Sequence, residues 1–202
     1  MSNKEIADRY AEGVVTGKIV ACEFVRLACQ RYIDDLNKEL YYYNETEVDA
    51  VINFINLLNL TEQEKPKKFL LEDWQTFIIA NIYGLYRKDT EKRKYLYGYI
   101  EMARKNGKSE LATALALYHL LTDTDAQVVL SANSREQIKN VDFKKVKQFA
   151  VQLDKKQKYL KQYYNSIKYG NNELLVTAAD SSRLDGLNAS FALIDELHEA
   201  PD

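Results

Sequence analysis

Residues Tyr95–Leu121 read YLYGYIEMARKNGKSELATALALYHLL. The first part, Tyr95–Met102, is rich in tyrosine and branched residues and predicts a β-strand. The last part, Ser109–Leu121, predicts a helix. Between them lies Ala103-Arg104-Lys105-Asn106-Gly107-Lys108-Ser109. A strand that turns through a short loop into a helix is the unit of α/β architecture. Such a loop presents backbone N–H groups at a helix N-terminus, where the helix dipole favours an anion. In that setting Lys108 reaches the β- and γ-phosphates of a nucleotide, and the Ser109 hydroxyl ligates Mg²⁺. The strict GxxxxGK[ST] pattern is not met, because Met102 stands where its first glycine belongs. The competing reading is a charged loop that opens a helix.

Downstream, Ala126–Ala132 (AQVVLSA) predicts a buried strand, and Ser134 with Gln137 caps the helix that follows. Tyr169–Val176 predicts a hairpin or a turn feeding a strand. Phe191–Ile194 (FALI) predicts a short apolar strand that ends in Asp195 and Glu196. Ligands of open α/β sheets bind outside the carboxyl ends of the strands. Asp195 is therefore the candidate to hold Mg²⁺, and Glu196 the candidate to orient or deprotonate an attacking water. The alternative is a strand followed by a solvated acidic loop.

Upstream, the first 60 or so residues predict helices. Ser2 with Glu5 forms a capping box, and Asn44 with Glu47 caps a helix that buries Val48, Val51, Ile52, Ile55 and Leu58. Ile19–Leu40 predicts one long helix with Val20, Phe24, Leu27, Ala28 and Tyr32 on its apolar face. Glu62–Lys68 (EQEKPKK) is polar and holds one of the two prolines, which marks a boundary. The expected division is a helical segment over 1–64 and an α/β core over 65–202. Asp73–Tyr86 predicts a helix. At its start, the Gln75 amide is able to pair with adenine, while the plain reading is a helix start capped by Asp73 with Trp74 in the core.

The chain has 202 residues, a net charge of −2 and few glycines and prolines. This excludes a disordered, collagen-like or turn-dense all-β chain. Cys22 and Cys29 lie two helical turns apart, about 10 Å, which is too far for a disulfide. Two histidines and no CxxC pair argue against structural zinc. Of these, His119 reads as a core or surface residue. The apolar stretch Leu111–Leu121 is too short to span a bilayer, and the N-terminus is not a signal peptide. Lys139–Lys168 holds nine lysines against two aspartates, a local net of +7 that leaves −9 on the rest. Interleaved with Phe143, Phe149, Tyr159, Tyr163 and Tyr164, these lysines suit a phosphate backbone. They equally describe a solvated helix face or a surface for an acidic protein.

Taken together, these motifs resemble the N-terminal ATPase domain of the terminase large subunit of tailed bacteriophages. The resemblance rests on Tyr10–Arg31, Trp74-Gln75, ARKNGKS, Ser131–Gln137, Arg183–Asn188 and Leu193–Glu199. It implies a P-loop core of the additional-strand type: a mostly parallel sheet flanked by helices, behind a helical N-terminal segment. It also implies ATP and Mg²⁺ as cofactors and hydrolysis that drives double-stranded DNA into a capsid in the host cytoplasm. The implied partners are a portal, a small terminase subunit and further copies of the chain in a ring, with no membrane. The deviant first glycine fits this family, whose loop carries a basic residue near its start. Arg104 matches that residue and would contact phosphate within the subunit, alongside Lys105, Asn106 and Gly107. In a ring, Arg183 would reach a neighbour's nucleotide as a finger in trans; otherwise it is a solvated loop cation. Such proteins continue past the acidic strand into a nuclease domain, so the core is expected to be incomplete at Asp202. The alternatives are a helicase-like ATPase, suggested by Asp195-Glu196-Leu197-His198, and a non-hydrolysing nucleotide-binding or interaction module.

Overall fold

The computed structural model describes residues 1–60, 66–132, 138–178 and 188–195. Packing divides the chain into two compact units, Met1–Asn56 with Leu70–Glu101, and Leu57–Phe69 with Met102–Asp202.

The first unit is built on helices. α1 (Asn3–Val15) opens on the Ser2–Glu5 capping box and ends at Gly17, whose φ of +77° suits glycine. Its buried Ala7, Ala11 and Val14 are small enough for neighbouring helices to approach closely. α2 (Glu23–Leu36) is shorter than the predicted Ile19–Leu40; of the expected face it buries Tyr32, together with Cys29 and Asp35. Val20 and Phe24 are 97% and 83% exposed, and Leu27 is exposed too. The reason lies in α1, which stops at Val15; Ile19 then folds back onto Gly13, and Tyr32 donates to Asp8. Only the C-terminal half of α2 is thereby covered. β1 (Tyr41–Tyr43) pairs antiparallel with β4 (Leu85–Arg87). α3 (Glu45–Asn56) is capped by Asn44 and buries Val48, Val51, Ile52 and Ile55 as its periodicity predicts.

α4 (Asp73–Gly84) joins this unit, with Phe77 against Tyr10 and Tyr32, and Asp73 paired to Arg9 at 2.8 Å. After β4 the chain is anchored by Asp35, a 1% exposed carboxylate that accepts from Lys38, Lys94 and Tyr95. Here the sequence expectation fails: Tyr95–Met102 forms no strand. Lys94 and Tyr95 are held by Asp35, Arg31 lies on the Tyr95 ring, and Gly98 meets Ile82. Leu96, Tyr97 and Tyr99 are left exposed. β propensity needs a partner edge to be realised, and side-chain anchoring directs this segment elsewhere.

The second unit carries a five-stranded sheet of order β6-β7-β8-β5-β9. β5 (Gln127–Ala132) runs parallel to both β8 (Asn172–Ala178) and β9 (Phe191–Ile194). β6 (Leu160–Gln162), β7 (Ser166–Tyr169) and β8 follow one another antiparallel, with the β7–β8 hairpin turning at Gly170. The sheet is therefore mixed rather than mostly parallel. α5 (Lys108–Thr122) and α6 (Lys144–Leu153) pack together, and α5 also packs on the sheet. Leu111, Leu117 and Leu120 of α5 and Val128, Leu130 and Leu174 of the strands are among the buried core. Buried Asn172 closes the α5–β5 turn by accepting from the Ala126 amide and donating to the Leu120 and Asp123 carbonyls. His119 is a core residue; it bonds Asp123 at 2.9 Å and stacks on Phe191 at 4.4 Å. The small β2 (Asn59–Leu60) and β3 (Lys67–Lys68) pair lies here too, held to α6 by reciprocal hydrogen bonds between Asn59 and Gln152.

Candidate active site

The loop before α5 is tightly turned. Asn106 folds its amide back onto the Ala103 carbonyl at 2.9 Å, and Lys105 and Gly107 both take positive φ, +65° and +80°. Gly107 is the N-cap of α5 and brings no side chain to the first-turn amides, which a helix leaves without internal partners. Arg104, Lys105 and Asn106 are exposed, whereas Lys108 and Ser109 are half-buried in the first turn. A positive backbone end flanked by cations suits an anion.

Opposite this turn is the carboxyl end of β9. Parallel pairing with β5 continues one residue beyond the strand, through the Asp195 amide donating to the Ser131 carbonyl at 2.9 Å. That fixes the Asp195 backbone. Its Oδ1 meets Lys108 Nζ at 2.9 Å. The two motifs, 87 residues apart in sequence, thus share one ion pair.

A third acid joins them. Asp142 sits in a π-helical turn, Lys139–Phe143, that leads into α6. It is 1% exposed, and its carboxyl faces the side chains of Asp195 and Ser109. Burial, followed by the nearby Asp195 charge, pushes its pKa up to about 7 against the partial relief from Lys145. Lys145 also pairs with Glu110 of α5. In the sequence, Asp142 is one of the two acids within the basic block. The clue was there: an aspartate next to Phe143 in a lysine-rich segment, on the buried side of the helix.

Of the predicted site residues, the structure brings Lys108, Ser109 and Asp195 into one cluster, with the Arg104–Gly107 loop leading into it. Gln75 belongs to the first unit. There it is buried, and its Oε1 accepts from the Glu72 amide in a capping box at the start of α4. Arg183, Glu196, His198 and the Ser134–Gln137 cap lie outside the described residues. Among the described residues no group of three or more His, Cys, Asp or Glu is arranged to hold a metal. The basic block divides by face: α6 buries Val146, Phe149 and Ala150 and exposes Lys144, while Tyr159, Tyr163 and Tyr164 are exposed. No helix among the described residues is long and apolar enough to cross a membrane.

Fold and cluster define a helix-flanked α/β domain with its candidate site at the carboxyl end of parallel strands, where such folds place ligands. The family model described as the terminase large subunit ATPase domain matches residues 73–202. The chain belongs to that family. Its fold is similar to that in the crystal structure of the HK97 bacteriophage large terminase, with a TM-score of 0.53 and 23% identity. That match covers 73% of this chain and 30% of the HK97 chain, so the chain spans under a third of the protein it resembles. No curated protein matches it.

Proposed function

We propose that this chain is the ATP-hydrolysing part of a DNA-packaging motor, acting on double-stranded DNA in the cytoplasm of a bacterial host. The observation that carries this reading is the Lys108–Asp195 contact, which unites the glycine-lysine-serine turn with the acidic strand end. The donor set fits the cofactors. The first-turn amides of α5 with Arg104, Lys105 and Lys108 suit a polyphosphate, and the oxygens of Ser109 and Asp195 are the hard ligands Mg²⁺ takes alongside water and phosphate.

In this reading Lys108 holds the β- and γ-phosphates, and Asn106 and Gly107 shape the loop around them. Ser109 and Asp195 hold the metal, which when bound neutralises phosphate charge. Glu196 orients the attacking water and takes its proton. Arg104 contacts phosphate from within the subunit, Arg183 acts on a neighbouring copy in a ring, and Gln75 contacts adenine. The helical segment over 1–64 then precedes a P-loop core that starts at 65, and a portal and a small terminase subunit are the protein partners. Family membership supports these roles.

The test is ATP turnover by the purified chain with and without double-stranded DNA. Lys108→Ala is expected to lose nucleotide binding and turnover, because it removes the point charge on the phosphates. Wild-type turnover in that variant would refute the assignment. Nucleotide binding without any turnover, with or without DNA, would favour a non-hydrolysing module.

A further inference from the structure

Asp142 is the residue the assigned roles leave unexplained. Its Oδ1 is fully buried and has no hydrogen-bond partner among the described residues. A buried acceptor without a partner is costly, and native structures rarely keep one without a use. It stands in an acid-bearing cluster with Ser109 and Asp195, the two residues assigned to the metal. The carboxylate is carried by a π-helical turn, an irregularity often found at functional sites. Phe143, Val146 and Phe149 supply the apolar buried face beside it. A hydrated Mg²⁺ bound beside Ser109 would present water protons to such an oxygen, since Mg²⁺ keeps several waters and uses few protein carboxylates.

We propose that Asp142 is a further magnesium-site residue of this chain, its buried Oδ1 accepting from the hydration shell of the cation held by Ser109 and Asp195. The proposal rests on the nucleotide-site reading given above. Asp142 is then a positioning residue: it orients the cation's water shell and touches neither nucleotide nor attacking water. An amide in its place would keep the shape of the side chain but lose the charge.

The experiment measures the affinity of the whole chain for a fluorescent ADP analogue, in Mg²⁺ and in EDTA. In the wild type, Mg²⁺ is expected to tighten binding about tenfold or more, and in Asp142→Asn that gain should fall to about threefold or less. Binding in EDTA should be at least as tight in the variant as in the wild type, a pattern that general damage to the pocket does not produce. An undiminished Mg²⁺ gain in Asp142→Asn overturns the proposal. Equal loss of affinity in Mg²⁺ and in EDTA also overturns it, and so does failure of the variant to fold, since either marks a structural role. A wild type that binds the analogue with no Mg²⁺ gain overturns the proposal but leaves the nucleotide site standing. A wild type that binds no nucleotide overturns both.

Discussion

Replacing Asp142 by asparagine in the metal-free protein should stabilise it above neutral pH and leave it unchanged in acid. Asp142 is 1% exposed, and its pKa is raised to about 7 by burial and by the Asp195 charge. In the unfolded chain an aspartate titrates near 3.9. Between those values the native state holds a proton that the unfolded state has released, so stability falls as pH rises through the window. Above pH 7 the loss is complete. At about 1.36 kcal/mol per pH unit, the full penalty is on the order of 2–4 kcal/mol, the lower end allowing for the coupling to Asp195. The asparagine variant carries no such penalty. The chain should melt about 4–16 °C higher than wild type at pH 8 in EDTA, and within a degree or two of it at pH 4. Circular dichroism melts across pH 4–8 measure this. A variant less stable than wild type at pH 8, or a difference between them that does not change with pH, would refute the reasoning.

Three other outcomes are expected. Glu196→Gln should keep nucleotide affinity and lose turnover, whereas Asp195→Asn should weaken Mg²⁺-dependent binding; equal loss of binding in both would show that the two roles are not separate. Arg183→Ala should bind nucleotide normally and lose turnover only where copies assemble, and mixing it with Glu196→Gln should recover part of the activity. No recovery despite demonstrated co-assembly would count against action in trans. In the first unit, Asp35→Ala removes the carboxylate shared by Lys38, Lys94 and Tyr95 and should destabilise it by about 3–5 kcal/mol; a melting temperature within 2 °C of wild type would show the node to be dispensable.

What was legible in the sequence was whatever local chemistry decides. Gly107-Lys108-Ser109 opens a helix as read, and Phe191–Ile194 is a strand delivering Asp195 to that helix. The caps at Ser2 and Asn44 and the buried stripe from Val48 to Ile55 are equally local. What escaped reading depends on distant partners. Tyr95–Met102 has strand composition, yet Asp35, some sixty positions upstream, captures its first residues. Val20, Phe24 and Leu27 have helix-core spacing, but α1 ends too early to cover them. Asp142 looked like dilution of a basic run because its buried partners, Ser109 and Asp195, are 33 and 53 positions away.

The Lys108–Asp195 pair also constrains how the site fills. Their side chains are 31% and 13% exposed, and partly solvated pairs of this kind are worth only about 1 kcal/mol. Drawing Lys108 onto a phosphate therefore costs little in lost attraction. Its larger effect is on what remains. Asp195 and buried Asp142 would then face each other with Lys145 nearby, itself engaged with Glu110. An anion that takes the lysine thus raises the demand for a cation between the acids, and a cation there loosens the lysine for the anion. On the proposed reading, binding of the two is expected to be mutually reinforcing, and by linkage equally so in either order. Without a cation, the lysine has to choose between the phosphate and the strand end.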